Sequence, residues 1–211
     1  ADLIARWREF DQPLYHGGAD SSFSFDLACN WKLAVENYCE AYHLPFIHPD
    51  LNTYSRLEDH YNILDHDNYA GQGTTVYAPQ VSETGTRFPT FDKLSSKWDT
   101  GAEYVALFPN VLLGVHKDHY FSILLTPDGT GRTNEQIELY YTDPAALTND
   151  YAEMRANNAR MWCAVFAEDI SVVEGMQKGR KAPAYDGGKF SAVMDESTYH
   201  FHKWVARELS A

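Results

Sequence analysis

What most constrains the fold is a succession of short apolar segments separated by tight turns, followed by one long helical stretch. Residues 60–65, 74–78, 104–108, 111–116, 119–126 and 135–141 are rich in β-branched and aromatic side chains. Pro109-Asn110, Lys117-Asp118 and Pro127-Asp128-Gly129 punctuate them as turns. Strands so closely spaced cannot host crossover helices, so they form an antiparallel meander. Residues 148–177 then read as a long helix, with Thr148 or Asp150 available to cap its start and Lys178-Gly179 to end it. A shorter helix covers about 195–209. Ahead of the meander lie a lead-in segment (1–20) with a short helix and a turn at Gly17-Gly18, a strand at 23–27 and a helix at 32–42. This order specifies an α+β chain with helices packed against one curved sheet. No repeat or linker divides it, and 1–211 reads as a single domain.

Composition narrows the functional classes. The 211 residues carry a formal charge of −13, with 14% aromatic residues, so nucleic acid and anionic membrane surfaces are excluded as partners. No apolar run approaches the roughly 20 residues of a membrane span, and the N-terminus lacks a signal-peptide layout. A cytoplasmic location is the expectation. Cys29, Cys39 and Cys163 are odd in number and scattered, which indicates buried thiols in a reducing compartment. Cys39 has no sign of a nucleophilic role.

Chemistry concentrates in 30–49, where His43 and His48 stand five positions apart with Glu40 three residues before the first. On a continuous helix that offset would splay the two rings by roughly 140°. Pro45 disfavours continuation of the helix and allows a turn that aims both rings at one point. A third ligand is needed. In Phe166-Ala-Glu-Asp-Ile-Ser-Val-Val-Glu174 an acidic pair interrupts an apolar stretch of the long helix. A carboxylate there needs a partner to offset desolvation, and a metal is a good one. Glu168 and Glu174 suit an exposed acidic face, whereas Asp169 suits a ligand. Two imidazoles and a carboxylate leave half the coordination sphere open, as in non-haem iron(II) oxygenases. A zinc hydrolase can use the same donors, although its usual His-Glu-x-x-His is missing.

The residues Asn30-Trp31-Lys32, Glu36-Asn37, Glu40-x-Tyr42-His43 and His48, with Glu168-Asp169 far downstream, resemble the catalytic domain of Rieske non-haem iron oxygenases. These are the large (alpha) subunits of aromatic-ring-hydroxylating dioxygenases. The resemblance implies a helix-grip (Bet v 1-like) fold and mononuclear Fe(2+) held by His43, His48 and Asp169. Asn37 matches an asparagine just ahead of the ligands. Glu40 occupies the position of an acidic residue that bridges to a cluster-bound histidine of the neighbouring subunit, usually in a homotrimer. The implied chemistry inserts oxygen from O2 into a small organic substrate, an aromatic ring first of all. Electrons pass from NAD(P)H through a reductase or ferredoxin to a [2Fe–2S] cluster and then to iron. Glu rather than Asp at position 40 resembles the branch acting on quaternary ammonium compounds such as choline, betaine and carnitine. The family's cluster motifs, Cys-x-His and Cys-x-x-His, do not occur here. The expectation is therefore an excised catalytic domain without its Rieske domain, showing little turnover by itself.

A non-catalytic ligand-binding domain of the same architecture is the competing class, with the histidines structural. The abundant Tyr and Trp could cage a methylated cation, but most are expected in the core. His116 and His119, beside the turn at 117–118, could line a pocket, though exposed turn histidines are commoner. His200 and His202 cannot both face one point on a helix and read as surface or structural residues.

Overall fold

A computed structural model describes residues 2–80, 82 and 85–210. In chain order its elements are α1 (Asp2–Arg6), β1 (Tyr15–His16), β2 (Ser22–Leu27), α2 (Trp31–Cys39), α3 (Leu44–Ile47), β3 (His60–His66), β4 (Tyr69–Thr74), β5 (Ala102–Leu107), β6 (Val111–Val115), β7 (His119–Pro127), β8 (Thr133–Tyr141), α4 (Ala152–Gly179) and α5 (Glu196–Ser210). The strands form one antiparallel sheet, ordered β1-β8-β7-β6-β5-β4-β3, with β2 also on β8. Six successive strands, β3 to β8, pair with their sequence neighbours, and each connection except β4–β5 is short. The α+β architecture and the long C-terminal-half helix match the expectation.

The sheet is covered on both faces. Alternation along the strands sends Leu112, Phe121, Ile123, Ile137 and Leu139 toward Leu33 and Val35 of α2, Trp162, Phe166 and Val173 of α4, and Phe201 of α5. The opposite pleat positions Ile63, Val105 and Val115 meet Trp7, Phe10, Phe91 and Trp98 from the lead-in segment and the β4–β5 connection. Buried Glu103 ties that segment down: it accepts from Arg6 Nε and Trp7 Nε1, each at 2.7 Å, and from the Tyr61 hydroxyl at 3.0 Å.

Three local expectations need correction. The strand placed at 74–78 lies earlier, at Tyr69–Thr74, in a segment whose Gly71 and Gly73 look like turn residues. Gly71 is a packing choice: a Cβ there would lie 2.0 Å from the Tyr104 carbonyl oxygen. The α4 start is displaced by a 3-10 turn at Asn149–Tyr151, and neither Thr148 nor Asp150 caps it; the Thr148 hydroxyl donates instead to the Ala145 carbonyl. Pro45 does not simply break helix either, since it sits in the first turn of α3, where its missing N–H costs nothing. Among the described residues no helix is long and apolar enough to cross a membrane.

Candidate metal centre

Helix α2 begins at Asn30, whose side chain accepts from Lys32 N at 3.1 Å. It ends at Glu40, whose backbone is extended (φ −127°, ψ 162°). The chain then turns through α3, with His43 just before it and His48 just after it. This break answers the splay problem: the two rings stand 5.1 Å apart, centroid to centroid. Both Nε2 atoms point at Asp169 on α4. Its Oδ1 lies 3.0 Å from His48 Nε2 and 3.5 Å from His43 Nε2. One donor atom from each of the three residues falls within 4.8 Å of the other two. Ligand atoms about 2.1 Å from a shared ion, at right angles to each other, are about 3 Å apart, so the spacing suits one metal ion.

The far side of each ring is equally ordered. His43 Nδ1 lies 2.5 Å from Glu40 Oε1, and His48 Nδ1 lies 2.7 Å from Glu168 Oε2. Each Nδ1–H donates to a carboxylate, which leaves the Nε2 lone pair free for a cation. Glu40 Oε2 also accepts the backbone N–H groups of Tyr42 and His43, so it fixes the turn as well as the ring. Asp169 Oδ1 is buried yet receives no well-formed hydrogen bond from a described residue, the state of a ligand oxygen. Burial works against a charge on His48, but the carboxylates of Asp169 and Glu168 outweigh it and raise its pKa. The centre is thus built to hold positive charge.

Glu168 corrects the expectation of a merely exposed acidic face, since it holds the second histidine. Nothing in its place beside Asp169 signalled this, because the histidine it holds lies 120 residues away. Glu174 also has a partner, accepting from Ala28 N at 2.9 Å. Asn37 is buried on α2 and lines the same pocket as His43, His48 and Asp169. Sequence reasoning missed a chain behind Glu40. Gln72 Nε2 donates to the Glu40 carbonyl at 2.9 Å, Gln72 Oε1 lies 2.6 Å from His60 Nδ1, and Ser55 Oγ lies 3.0 Å from His60 Nε2. Burial lowers the His60 pKa, so this array is neutral. His116 and His119 are not exposed turn residues; they are 1% and 3% exposed, stacked at 4.2 Å. His202 Nε2 lies 2.9 Å from buried Glu36, consistent with a structural role. Burial pushes the Cys39 thiol far up, which fits its lack of a nucleophilic part.

The pocket at the centre has a volume of about 50 Å³ and is walled by Tyr38, Leu51, Tyr104, Phe121, Trp162 and Phe166 among others. The model of the ring hydroxylating alpha subunit (catalytic domain) family matches residues 6–211. The chain belongs to that family. Members of this Rieske oxygenase family use mononuclear iron and a Rieske cluster, and draw electrons from partners to act on small molecules with O2. A chloroplastic choline monooxygenase of Arabidopsis thaliana is 29% identical over 203 residues, covering 90% of this chain and 43% of the relative. A putrescine 2-hydroxylase of Ralstonia nicotianae is 27% identical over 197 residues, covering 86% and 52%. The fold is that of a quaternary ammonium Rieske monooxygenase solved with L-carnitine, at a TM-score of 0.68 and 22% identity, covering 92% of this chain and 49% of that one. The chain therefore spans about half the length, or less, of the relatives it matches.

Proposed function

We propose that His43, His48 and Asp169 hold Fe(2+) and that 1–211 is the single mononuclear-iron domain of an oxygenase acting on a small amine or quaternary ammonium compound. The observation that carries the metal assignment is the convergence of two Nε2 atoms on Asp169 Oδ1, with both Nδ1 atoms held by carboxylates. Iron, when bound, supplies one-electron chemistry with dioxygen. The chain's own residues do the rest. Glu40 and Glu168 keep the Nδ1 protons in place, Asn37 lines the floor, and Phe121, Trp162, Val165 and Phe166 exclude water. The aromatic lining residues Tyr38, Tyr104 and Trp162 suit a cationic amine through the ring quadrupole, and choline, putrescine and carnitine in the relatives' names point the same way. Hydroxylation of an aromatic ring, the first expectation, remains the second reading because Leu44, Leu51, Phe121 and Val165 make much of the pocket apolar.

Electrons are read as arriving at Glu40 from a [2Fe–2S] cluster of a neighbouring subunit in a homotrimer, fed from NAD(P)H by a reductase or ferredoxin. Tyr42 and Phe46 support this, being 55% and 73% exposed beside Glu40 and in edge contact at 6.2 Å; exposed apolar patches mark contact surfaces. Metal analysis tests the centre. About one iron per chain is expected, lost in His43→Ala and Asp169→Ala, while a folded, metal-free parent would support the binding-domain alternative. Oxygen uptake with a complete electron chain, over a panel of amines and aromatics, then separates the two substrate readings.

A further inference from the structure

Gln72 stands inside β4, a strand paired with β3 on one side and β5 on the other, and is 8% exposed. Glutamine is seldom so buried, because an amide taken from water costs free energy unless its donors and acceptor are matched. Its neighbours explain the choice. Asn62 lies opposite Gln72 in the register and His60 opposite Thr74, so His60 is the diagonal neighbour of Gln72 across the two strands.

One pattern of protons satisfies the array. The Glu40 backbone carbonyl can only accept, so the nitrogen of the Gln72 amide faces it, at 2.9 Å. Gln72 Oε1 then faces His60 and takes the Nδ1 proton, at 2.6 Å. With that proton on Nδ1, His60 accepts at Nε2 from the Ser55 hydroxyl, at 3.0 Å. Three side chains are thus ranged behind one backbone carbonyl.

That carbonyl belongs to the residue at which α2 ends. The last carbonyls of a helix have no partner within it, and the Gln72 amide supplies one from the sheet. The Glu40 carboxylate bonds instead within its own turn, to His43 Nδ1 at 2.5 Å and to the backbone N–H groups of Tyr42 and His43. Those contacts fix the carboxylate against the ring, but they do not anchor the turn to the sheet. The Gln72 bond does. A shift of the turn would carry His43 Nε2 away from Asp169 Oδ1, which belongs to another helix and already lies 3.5 Å away, against 3.0 Å for His48.

We propose that Gln72 is a positioning residue of the metal centre, holding the end of α2 so that the Glu40 carboxylate keeps the His43 ring aimed at Asp169. The consequence for metal binding rests on the function proposed above; the placement of the ring does not. A cavity of about 660 Å³ borders Ala41, His60 and Gln72, so water can reach the groups that a substitution frees.

Two measurements test this: Fe(2+) affinity by competition with a chelator, and the ring N–H signals of the metal-free chain labelled with ¹⁵N-histidine. Gln72→Met should weaken iron binding about tenfold, the low end of the loss when an outer hydrogen-bond partner goes. Added to Glu40→Ala it should cost nothing further, because no carboxylate is left to place. In the metal-free chain the His43 Nδ1–H signal, identified by its absence in His43→Ala, should exchange with water several-fold faster in Gln72→Met. His60→Leu should act in the same direction and carries the test should Gln72→Met not fold. His60→Asn, whose amide N–H can stand where Nδ1–H stood, should restore the parent's behaviour. A purely structural Gln72 would lower Tm and cost the same affinity with or without the Glu40 carboxylate. Unchanged affinity, equal loss in both backgrounds, or an unchanged His43 N–H overturns the positioning role. A parent chain that binds no iron sinks the metal reading, and the N–H signals then decide the positioning role by themselves.

Discussion

Each candidate ligand histidine works as part of a pair with an acid, and the two acids arrive by different routes. Glu40 is local to His43, three residues away, while Glu168 reaches His48 from 120 residues downstream. Loss of such an outer partner commonly costs 10–100-fold in metal affinity. Glu168→Ala should therefore weaken iron binding by about that factor in a chelator competition, with Glu174→Ala as an unaffected control, since Glu174 accepts from the Ala28 backbone and from neither histidine. A third carboxylate, Glu135, sits buried behind the centre. Burial, and next the charge of Asp169, push its pKa from the ordinary 4.5 up to about 8. A carboxyl raised in the folded state holds a proton that the unfolded chain has released. Stability is then greatest below about pH 4.5 for this group and falls as pH rises through about 8. In metal-free protein, Glu135→Gln should flatten that decline, measured as urea midpoints at pH 5.5 and 8.

At the level of elements, β4 shows how a strand can hide. Tyr69-Ala-Gly-Gln-Gly-Thr74 has little β-propensity, and its two glycines read as punctuation. Tertiary contact explains Gly71: its backbone packs directly on Tyr104, and the Ser197 hydroxyl of α5 donates to its carbonyl at 2.7 Å. Gly71→Ala should cost about 3 kcal/mol or prevent folding. Gly175, inside α4, has no atom within 4 Å of an added Cβ. Gly175→Ala should instead stabilise by about 0.5–1 kcal/mol. Chemical denaturation of both variants distinguishes the two kinds of glycine.

Across the whole molecule, the centre is where the α2–α3 break meets α4, so binding there should couple to global stability. A ligand at 100 times its Kd adds about 2.7 kcal/mol, which for a chain of this size corresponds to roughly 5–10 °C. Stripping iron with a chelator should lower Tm by that order, and His43→Ala should be insensitive to the same treatment. A second tie is independent of metal. Buried Glu36 of α2 is gripped by Arg180 at the end of α4 and by His202 of α5. Arg180→Ala should cost roughly 2 kcal/mol, less than a fully buried pair because the arginine is 35% exposed.

The meander and the candidate trio His43, His48 and Asp169, which the fold brings within 4.8 Å of one another, were legible in the chain because their signals are local. Turn residues, alternation, a proline after His43 and an acid amid apolar neighbours all act within a few positions. Glu168 as a partner, the Gln72–His60–Ser55 array, the burial of His116 and His119, and the strand at 69–74 were not, because each depends on atoms brought together from segments distant in the sequence. Hydrogen bonds and packing form between neighbours in space, and only the assembled sheet with α4 laid across it decides which neighbours those are.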